Sequence, residues 1–252
     1  MKDMKCKNIW IIGASVGIGS ALAEELAKEG AMIALSARDI DKLAELKERL
    51  AGSGHLIYPL DVTDSEKVSQ TAISIKADFG NIDSVIFMAA TYQPHSNAGY
   101  SDISTAKHIM DVNFNGAMNV THAVLPILKA QGNSQLVFCA SVAGFRGLPS
   151  GQPYCASKAA LINYAESLAI ENPDIDVKLI NPGFVKTRLT DKNDFKMPFL
   201  ITADKAAKAI VKGLKSSAYE IHFPKVFTCM MKIIRLLPSC IYIPFARKLN
   251  KR

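Results

Sequence analysis

Short apolar segments alternate with longer amphipathic segments along the whole 252-residue chain. Short apolar runs are typical of buried β-strands, whereas apolar residues spaced three and four apart are typical of helices that cover a sheet. Regular alternation of the two predicts a parallel sheet whose strands are connected by crossover helices. The pattern predicts seven strands, at residues 8–13, 32–36, 55–60, 84–89, 135–140, 176–180 and 219–223.

Six helices are predicted between these strands, at residues 17–29, 41–50, 65–79, 105–130, 153–171 and 203–215. The inner strands are apolar throughout, which indicates that helices cover both faces of the sheet. We therefore predict an α/β fold, a single doubly wound domain of about seven parallel strands. In such an open sheet, ligands bind beyond the carboxyl ends of the strands.

The chain divides into a body, residues 1–224, and a C-terminal extension, residues 225–252. No linker, repeat or low-complexity segment in the body indicates a second domain. In the extension, six apolar residues recur at the spacing of a helix face, namely Val226, Phe227, Met230, Ile233, Ile234 and Leu237. A second stripe consists of Lys225, Thr228, Lys232 and Arg235, so the segment is predicted to be an amphipathic basic helix. Pro238 and Pro244 are expected to interrupt the apolar residues that follow, so no spanning helix is expected.

The charge of the chain is concentrated in this extension. Residues 221–252 contain seven Lys and Arg residues and no acid, while residues 1–220 hold 23 bases and 23 acids, so the net charge of +7 resides in the tail. Two uses remain open: the tail covers a substrate pocket or subunit interface, or it lies on an anionic membrane surface. Nucleic acid is not expected as a partner, because no aromatic platform or recognition motif accompanies the bases.

The cysteines and the N-terminus bear on the compartment. Five cysteines, an odd number, are widely spaced without paired metal-ligand spacing, which indicates free thiols in a reducing compartment and no metal site. The polar N-terminus runs directly into the first apolar strand and has no secretory signal pattern. We predict a cytoplasmic protein, with peripheral membrane contact as the open alternative.

A glycine-rich loop joins the first strand to the first helix. Its residues include Gly13, Ser15, Gly17, Ile18 and Gly19. Missing side chains let such a loop turn tightly and approach a pyrophosphate at the helix N-terminus. Because a predicted strand precedes the loop and a helix follows it, a dinucleotide site is expected here.

Tyr154 and Lys158 are four residues apart in a predicted helix, with Ser141 upstream. Residues at this spacing share a helix face, so the lysine ammonium is expected beside the tyrosine ring. A neighbouring cation favours phenolate, and we expect it to lower the pKa of Tyr154 towards the range of a general acid or base. Chance alone produces about 0.6 such pairs in a chain of this composition, so the pair gains weight only from the site around it.

Together, the glycine spacing and the serine, tyrosine and lysine resemble the short-chain dehydrogenase/reductase family over essentially the whole chain. Further positions matching its motifs are Asp61, Val62, Ala89, Asn113, Pro182, Gly183, Val185 and Thr187. The resemblance implies a Rossmann-type, nucleotide-binding oxidoreductase that interconverts a carbonyl and an alcohol. It also implies a homodimer or homotetramer, built through the helices at residues 105–130 and 153–171.

The resemblance also assigns roles to the catalytic candidates. Tyr154 would transfer the proton, Lys158 would lower its pKa and hold the nicotinamide ribose, Ser141 would hold the substrate oxygen, and Asn113 would position a water that relays protons to Lys158. Taken alone, Ser141 could merely cap a turn and Asn113 could bond backbone inside a helix. Ser141 as a nucleophile is disfavoured because no Gly-x-Ser-x-Gly elbow surrounds it. Cys139 and Cys155 are assigned to packing.

The cofactor type depends on the end of the second strand. In NAD-dependent members of the family this position is usually acidic, and here it is Ala37 followed by Arg38. An arginine can pair with a ribose 2′-phosphate, so the sequence favours NADP(H). The alternative is that Arg38 only pairs with Asp39 or Asp41 at a helix start.

One segment departs from the family pattern. Where an Asn-Asn-Ala-Gly motif is usual, this chain has Phe87, Met88, Ala89 and Ala90. We expect altered packing there and retained cofactor binding. The departure motivates a second hypothesis, a regulatory or scaffold protein that binds NADP(H) with little turnover. A third, an enoyl reductase, is disfavoured because that branch usually places six residues between tyrosine and lysine.

The substrate side of the site is expected to be apolar, near Val142, Phe145, Leu148, Phe184 and residues 197–200. Such a lining favours a hydrophobic or lipid-like substrate over a sugar. The alternative is that several of these side chains pack the core. Tyr92 and His95 are candidates for polar contacts.

Overall fold

The computed structural model describes residues 3–94, 102–193 and 195–249. Its centre is one parallel sheet with the strand order β3-β2-β1-β4-β5-β6-β7. The order reverses between β1 and β4, which opens a crevice beyond their carboxyl ends. The predicted seven-stranded, doubly wound architecture is confirmed. The strands are β1 Asn8–Ile12, β2 Met32–Ala37, β3 Leu56–Pro59, β4 Ser84–Phe87, β5 Gln135–Cys139, β6 Asp176–Pro182 and β7 Glu220–Phe223.

The helices lie close to the predicted bounds over most of the chain. Aspartates begin three of them, because the side chains of Asp39, Asp64 and Asp102 accept hydrogen bonds from backbone amides in the first turn. The helices are α1 Gly17–Lys28, α2 Ile40–Arg49, α3 Ser65–Phe79, α4 Ile103–Met110, α5 Gly116–Gln131, α6 Tyr154–Glu171, α7 Ala203–Leu214, α8 Lys225–Arg235 and α9 Ser239–Leu249.

The core has two layers, one on each face of the sheet. Alternate residues of β1 belong to different layers: Trp10 packs in the cluster that includes Phe87 and Phe138, and Ile9 packs in the cluster that includes Leu22 and Ile210. Successive side chains of a strand point to opposite faces, so an entirely apolar strand requires helices on both sides. Because both faces of the sheet are buried, the strands are held in place, and so are the strand ends at which the crevice opens.

The predicted helix at residues 105–130 is not a single regular helix. A π-helical turn, Asp111–Asn115, separates α4 from α5. At this turn the Asn113 side chain exchanges hydrogen bonds with the backbone of Thr91, which lies on another segment. An extra residue in one turn is often found at functional sites.

The C-terminal extension forms two helices. The expected amphipathic helix is present as α8, but Pro244 does not interrupt the segment that follows and lies inside α9. Contacts outside the helix hold this segment: the Tyr242 hydroxyl donates to the Gly147 carbonyl at 2.6 Å, and the Arg146 guanidinium lies 4.5 Å from the Tyr242 ring centroid. Among the described residues, none of the helices has the length and apolar content needed to cross a membrane.

Candidate active site

A cavity of about 390 Å³ lies at the carboxyl ends of the central strands. Its position at the reversal of strand order is the one expected for a ligand in this architecture. Every residue predicted to contact the cofactor lines it, namely Gly13, Ser15, Gly17, Ile18, Gly19, Arg38, Asp61, Val62, Ala89, Tyr154, Lys158, Pro182, Gly183, Val185 and Thr187. The tertiary structure therefore brings together residues that lie more than 170 positions apart in sequence.

The glycine loop forms one wall of this cavity. Gly13 has a φ of +91°, and a Cβ atom there would lie 2.5 Å from the Ala89 nitrogen. A side chain at Gly13 would therefore push β1 and the segment after β4 apart. A Cβ atom at Gly17 would lie 3.2 Å from Cγ2 of Thr187, so glycine keeps the cleft between the loop and the segment after β6 open.

The first turn of α1 faces this loop and fits an anionic group. The residue before the helix, Val16, supplies no side-chain hydrogen bond to the first turn, and the turn contains no acidic residue. Free amides at a helix N-terminus bind phosphate groups well. This uncapped turn and the cleft at Gly17 fit the pyrophosphate of a nicotinamide dinucleotide.

Tyr154 and Lys158 lie in the first two turns of α6 and line the inner part of the cavity. The Lys158 ammonium is 5.7 Å from the centroid of the Tyr154 ring, which confirms the expected proximity. The Lys158 side chain is buried, and its Nζ donates a hydrogen bond to the Cys139 carbonyl at 2.7 Å. This bond anchors the ammonium at the end of β5.

The expected lowering of the pKa of Tyr154 is wrong for this arrangement. Burial raises the pKa of Tyr154 above its ordinary value, the neighbouring Cys139 adds to the increase, and a hydrogen bond with the Ser141 side chain opposes it. The desolvation cost of a buried phenolate is the larger effect. Burial also lowers the pKa of Lys158. Tyr154 therefore retains its proton at neutral pH.

Ser141 follows β5 and contributes to both a turn and the cavity. Its Oγ accepts a hydrogen bond from the Ala143 amide at 3.1 Å and so caps a short turn, as the structural alternative proposed. The residue also lines the cavity beside Tyr154. Since the hydroxyl proton is not used in capping, Ser141 can still donate a hydrogen bond.

Asn113 is fully buried and does not line the cavity. Its Oδ1 accepts from the Thr91 amide at 2.7 Å, and its Nδ2 donates to the Thr91 carbonyl and the Ser157 hydroxyl, each at 3.0 Å. Asn113 therefore bonds backbone, as the alternative interpretation expected, and it also lies close to α6, which carries Tyr154. The water-relay role stays a prediction.

Arg38 is exposed at the rim of the cavity, beyond the end of β2. Among the ion pairs of the described residues, none joins Arg38 to Asp39 or Asp41, and Asp39 pairs with Lys42. Burial alone would raise the pKa of Asp61, but hydrogen bonds from Thr63 lower it below its ordinary value. The charge of Arg38 makes a smaller contribution to this lowering. The positive charge of Arg38 thus acts on Asp61, another residue that lines the cavity.

Several lining residues were missed by the sequence analysis, including Lys42, Thr91, Arg188, Thr190 and Lys192. Lys192 illustrates the reason. Its Nζ donates to the Tyr92 carbonyl at 2.7 Å, and the Tyr92 hydroxyl donates to Asn193 at 3.1 Å. The contacts span about 100 positions, so no local pattern shows them, whereas Arg188 directly follows the matched Thr187 and could have been found.

None of the apolar residues expected at the substrate side lines the cavity itself. Val142 and Phe145 are buried members of the core, as the packing alternative proposed. Phe184 instead joins an aromatic cluster, with ring centroids 5.8 Å from Phe195 and 5.3 Å from Phe227, and the Phe199 ring is 6.1 Å from Phe227.

The polar candidates and the cysteines complete the description. Tyr92 lines the cavity and packs edge-on against the Tyr154 ring at 5.0 Å, whereas His95 lies outside the described residues. Cys139 and Cys155 are buried, and burial raises the pKa of both thiols. Buried, protonated thiols are consistent with their assignment to packing.

Comparison with known proteins places this cavity in a family context. A family model described as short chain dehydrogenase matches residues 7–197. An uncharacterized oxidoreductase of Myxococcus xanthus is 32% identical, with 99% of this chain and all of that protein covered. The 11-beta-hydroxysteroid dehydrogenase-like protein 3 of Arabidopsis thaliana is 35% identical, with 93% of this chain and 79% of that protein covered.

A solved structure is similar as well. An alcohol dehydrogenase from the archaeon Thermococcus sibiricus, complexed with 5-hydroxy-NADP, has a TM-score of 0.78 and 28% identity. The similarity covers 87% of this chain and 96% of that chain. The family match extends from β1 into the segment that follows β6 and includes every residue that lines the cavity. The chain belongs to the short-chain dehydrogenase family of oxidoreductases.

Proposed function

We propose that this protein is an NADP(H)-dependent oxidoreductase that interconverts a carbonyl and an alcohol on a hydrophobic substrate. The observation that carries the proposal is the convergence of Ser141, Tyr154 and Lys158 on the cavity that the glycine loop lines. The named oxidoreductases and alcohol dehydrogenase among its relatives support the same reaction class.

The protein groups have distinct tasks in this proposal. When bound, the nicotinamide group supplies a hydride to the carbonyl carbon or accepts one from the alcohol carbon. Ser141 donates a hydrogen bond to the substrate oxygen and orients it. Tyr154 donates its phenolic proton to that oxygen during reduction and accepts it during oxidation. The raised pKa of Tyr154 keeps the phenol protonated at neutral pH, which is the form that reduction requires.

Lys158 supports this proton transfer electrostatically. Its ammonium is held by the Cys139 carbonyl and lies on the Tyr154 side of the cavity. The positive charge stabilises the phenolate that remains after Tyr154 donates its proton. The same ammonium is close enough to the cavity to bind a ribose hydroxyl of the dinucleotide.

NADP(H) is proposed as the cofactor because a cation occupies the end of β2 where an acid would repel a 2′-phosphate. Arg38 is exposed at the cavity rim, and Lys42 lines the cavity in the first turn of α2. A 2′-phosphate between them would accept charge-assisted hydrogen bonds. Asp39 lines the same rim, but its carboxylate is engaged by the amide and ammonium of Lys42.

A hydrophobic substrate is proposed because an aromatic cluster lies behind the cavity wall, where a Cβ atom at Gly183 would be 2.6 Å from the Phe227 ring. Phe184 follows Gly183 of the cavity wall, and its ring contacts Phe227 of α8. Such surfaces bind apolar molecules because apolar surface area is removed from water, and not through directed hydrogen bonds. The homo-oligomeric state stays a prediction.

The test replaces Tyr154 with Phe and measures NADPH consumption with a panel of lipid-like and small polar carbonyls. Loss of the proton donor is expected to reduce kcat by about 10²- to 10⁴-fold. The control is Tyr164→Phe, which makes the same change on the same helix in a ring packed against Phe114 and Phe138. If the unmodified protein binds NADPH but consumes none with any carbonyl, the regulatory alternative replaces this proposal.

A further inference from the structure

Helix α8 carries a second apolar surface that the fold does not use. Its buried side consists of Phe227, Thr228 and Met231. On another side of the helix, four apolar residues are exposed: Val226 at 68%, Met230 at 43%, Ile233 at 66% and Leu236 at 82%. We refer to these four residues as the tail face. Their spacing of four, three and three places them along one side of the helix.

The exposure of the tail face does not result from loose attachment of α8, because side-chain contacts hold this helix to the rest of the domain. The Lys232 ammonium pairs with Glu220 at 2.5 Å, His222 Nδ1 lies 2.7 Å from the Thr228 hydroxyl, and the Arg146 side chain bonds the Leu237 carbonyl. The helix is thus fixed on its inner side while the tail face points away from the core. Contiguous exposed apolar surface of this kind marks an interaction site.

The charge around this surface identifies the kind of partner. Residues 221–252 contain seven bases and no acid. A two-fold contact between copies would place this patch against itself and bring like charges together. An anionic partner is attracted instead, and apolar residues flanked by bases in a short helix are typical of helices that lie in a membrane interface.

The following helix continues this character. In α9 the exposed apolar residues are Ile241, Ile243 and Phe245, and the exposed bases are Arg247 and Lys248. The eleven residues of α9, like the eleven of α8, are far fewer than a bilayer span requires. Both helices are long enough to lie along a bilayer surface.

Ring contacts connect α8 to the candidate active site. Phe227, on the inner side of α8, contacts the exposed Phe199 at 6.1 Å and the Phe184 ring at 5.3 Å. Phe184 directly follows Gly183, which lines the cavity. The Phe227 ring also lies against Gly183, where a Cβ atom would be 2.6 Å away, so aromatic contacts lead from α8 to the cavity wall.

We propose that the tail face, together with the exposed bases Lys225, Arg235, Arg247 and Lys248, binds the surface of an anionic lipid bilayer, which presents the hydrophobic substrate to the aromatic cluster. The substrate part rests on the proposed function, whereas the binding of lipid does not. Apolar side chains enter the acyl boundary, and the bases contact anionic headgroups.

The test measures flotation of the full chain with vesicles of phosphatidylcholine alone and of phosphatidylcholine with phosphatidylglycerol. Binding is expected only with the anionic vesicles and is expected to weaken as salt is added. Ile233→Ser is expected to weaken it about tenfold, since one apolar anchor is lost. The matched control is Ile73→Ser on α3, where isoleucine is 65% exposed, and it is expected to bind as the unmodified chain does.

A second pair of variants tests the charge. Arg247→Glu with Lys248→Glu is expected to weaken binding about tenfold or more. The control, Lys208→Glu with Lys212→Glu on α7, changes the net charge equally at exposed positions outside the tail. Equal loss in both double variants would show a response to net charge alone and would overturn the assignment of the surface.

Three other outcomes also overturn the proposal. The first is absence of flotation with anionic vesicles, and the second is unchanged flotation of Ile233→Ser. The third is that no form of the protein binds vesicles and Ile233→Ser forms a smaller assembly in light scattering, which would assign the tail face to a contact with a second copy. Turnover of a water-soluble carbonyl, measured without vesicles, is expected to be unchanged in Ile233→Ser. Flotation requires no turnover, so failure of the lipid proposal is distinguishable from failure of the proposed reaction.

Discussion

The Asn113 side chain donates a hydrogen bond to the Ser157 hydroxyl at 3.0 Å and so ties the π-helical turn to α6. Ser157 in turn donates to the Tyr154 carbonyl at 2.8 Å. The same asparagine exchanges two hydrogen bonds with Thr91 in the loop after β4. Asn113 therefore joins three segments around Tyr154 without lining the cavity itself.

Replacing Asn113 with Ala is expected to destabilise the protein by about 1–3 kcal/mol, because the amide and carbonyl of Thr91 lose their side-chain partner in a buried site. The measurement is urea-induced unfolding. The control is Asn115→Ala in the same π-helical turn, where one part-buried hydrogen bond to Asp111 is lost. Equal destabilisation by the two variants would contradict the linking role assigned to Asn113.

Cofactor preference is expected to depend on Arg38. Arg38→Ala removes a cation at the end of β2 and is expected to weaken NADPH binding roughly tenfold or more while NADH binding changes little. Titration of cofactor fluorescence measures both affinities. Arg49→Ala, at the opposite end of α2, serves as the control. Equal weakening of NADPH and NADH would show that Arg38 does not recognise a 2′-phosphate.

The glycine loop is expected to tolerate no side chain at its first position. Gly13→Ala would place a Cβ atom 2.5 Å from the Ala89 nitrogen at a φ of +91° and is expected to destabilise the protein by about 2 kcal/mol or more. Gly147→Ala is the control, because a Cβ there has no neighbour within 4 Å. Urea unfolding and NADPH binding are measured for both. Normal stability of Gly13→Ala would contradict the described approach of β1 to the segment after β4.

The attachment of α8 is expected to depend on pH through Glu220. Burial alone would raise the pKa of Glu220, but hydrogen bonds from Lys232 and Asn181 outweigh it and hold the pKa below the ordinary value of 4.5. A carboxyl with a depressed pKa contributes stability above its ordinary pKa and loses that contribution as the pH falls through the folded-state pKa. Glu220→Gln is therefore expected to be less stable by about 1 kcal/mol at pH 7.

The difference between Glu220→Gln and the unmodified protein should shrink as the pH falls below 4.5. Urea unfolding over a range of pH checks this trend. The control is Glu48→Gln at an exposed position in α2. A stability difference that stays constant as the pH falls would show that the charge of Glu220 does not contribute.

Local patterns predicted the parts of this protein whose structure is local. The strand β1 and the loop from Gly13 to Gly19 follow from an apolar run that ends in small residues. Pairing of Tyr154 with Lys158 follows from helix geometry, and the ammonium lies 5.7 Å from the ring centroid as expected. Pro244 misled the prediction, because a proline breaks an isolated helix, whereas α9 is held by Tyr242 and Arg146.

By itself, the sequence determined the order of strands and helices along the chain and the position of the glycine loop, because periodicity and spacing act over a few residues. The catalytic candidates followed from its resemblance to a known family. Only the tertiary structure decided that the pKa of Tyr154 is raised and not lowered, since desolvation depends on every neighbour that excludes water. The same holds for the contact of Lys192 with Tyr92 and for the exposed side of α8. Each of these depends on segments that are distant in sequence and meet only when the sheet is complete.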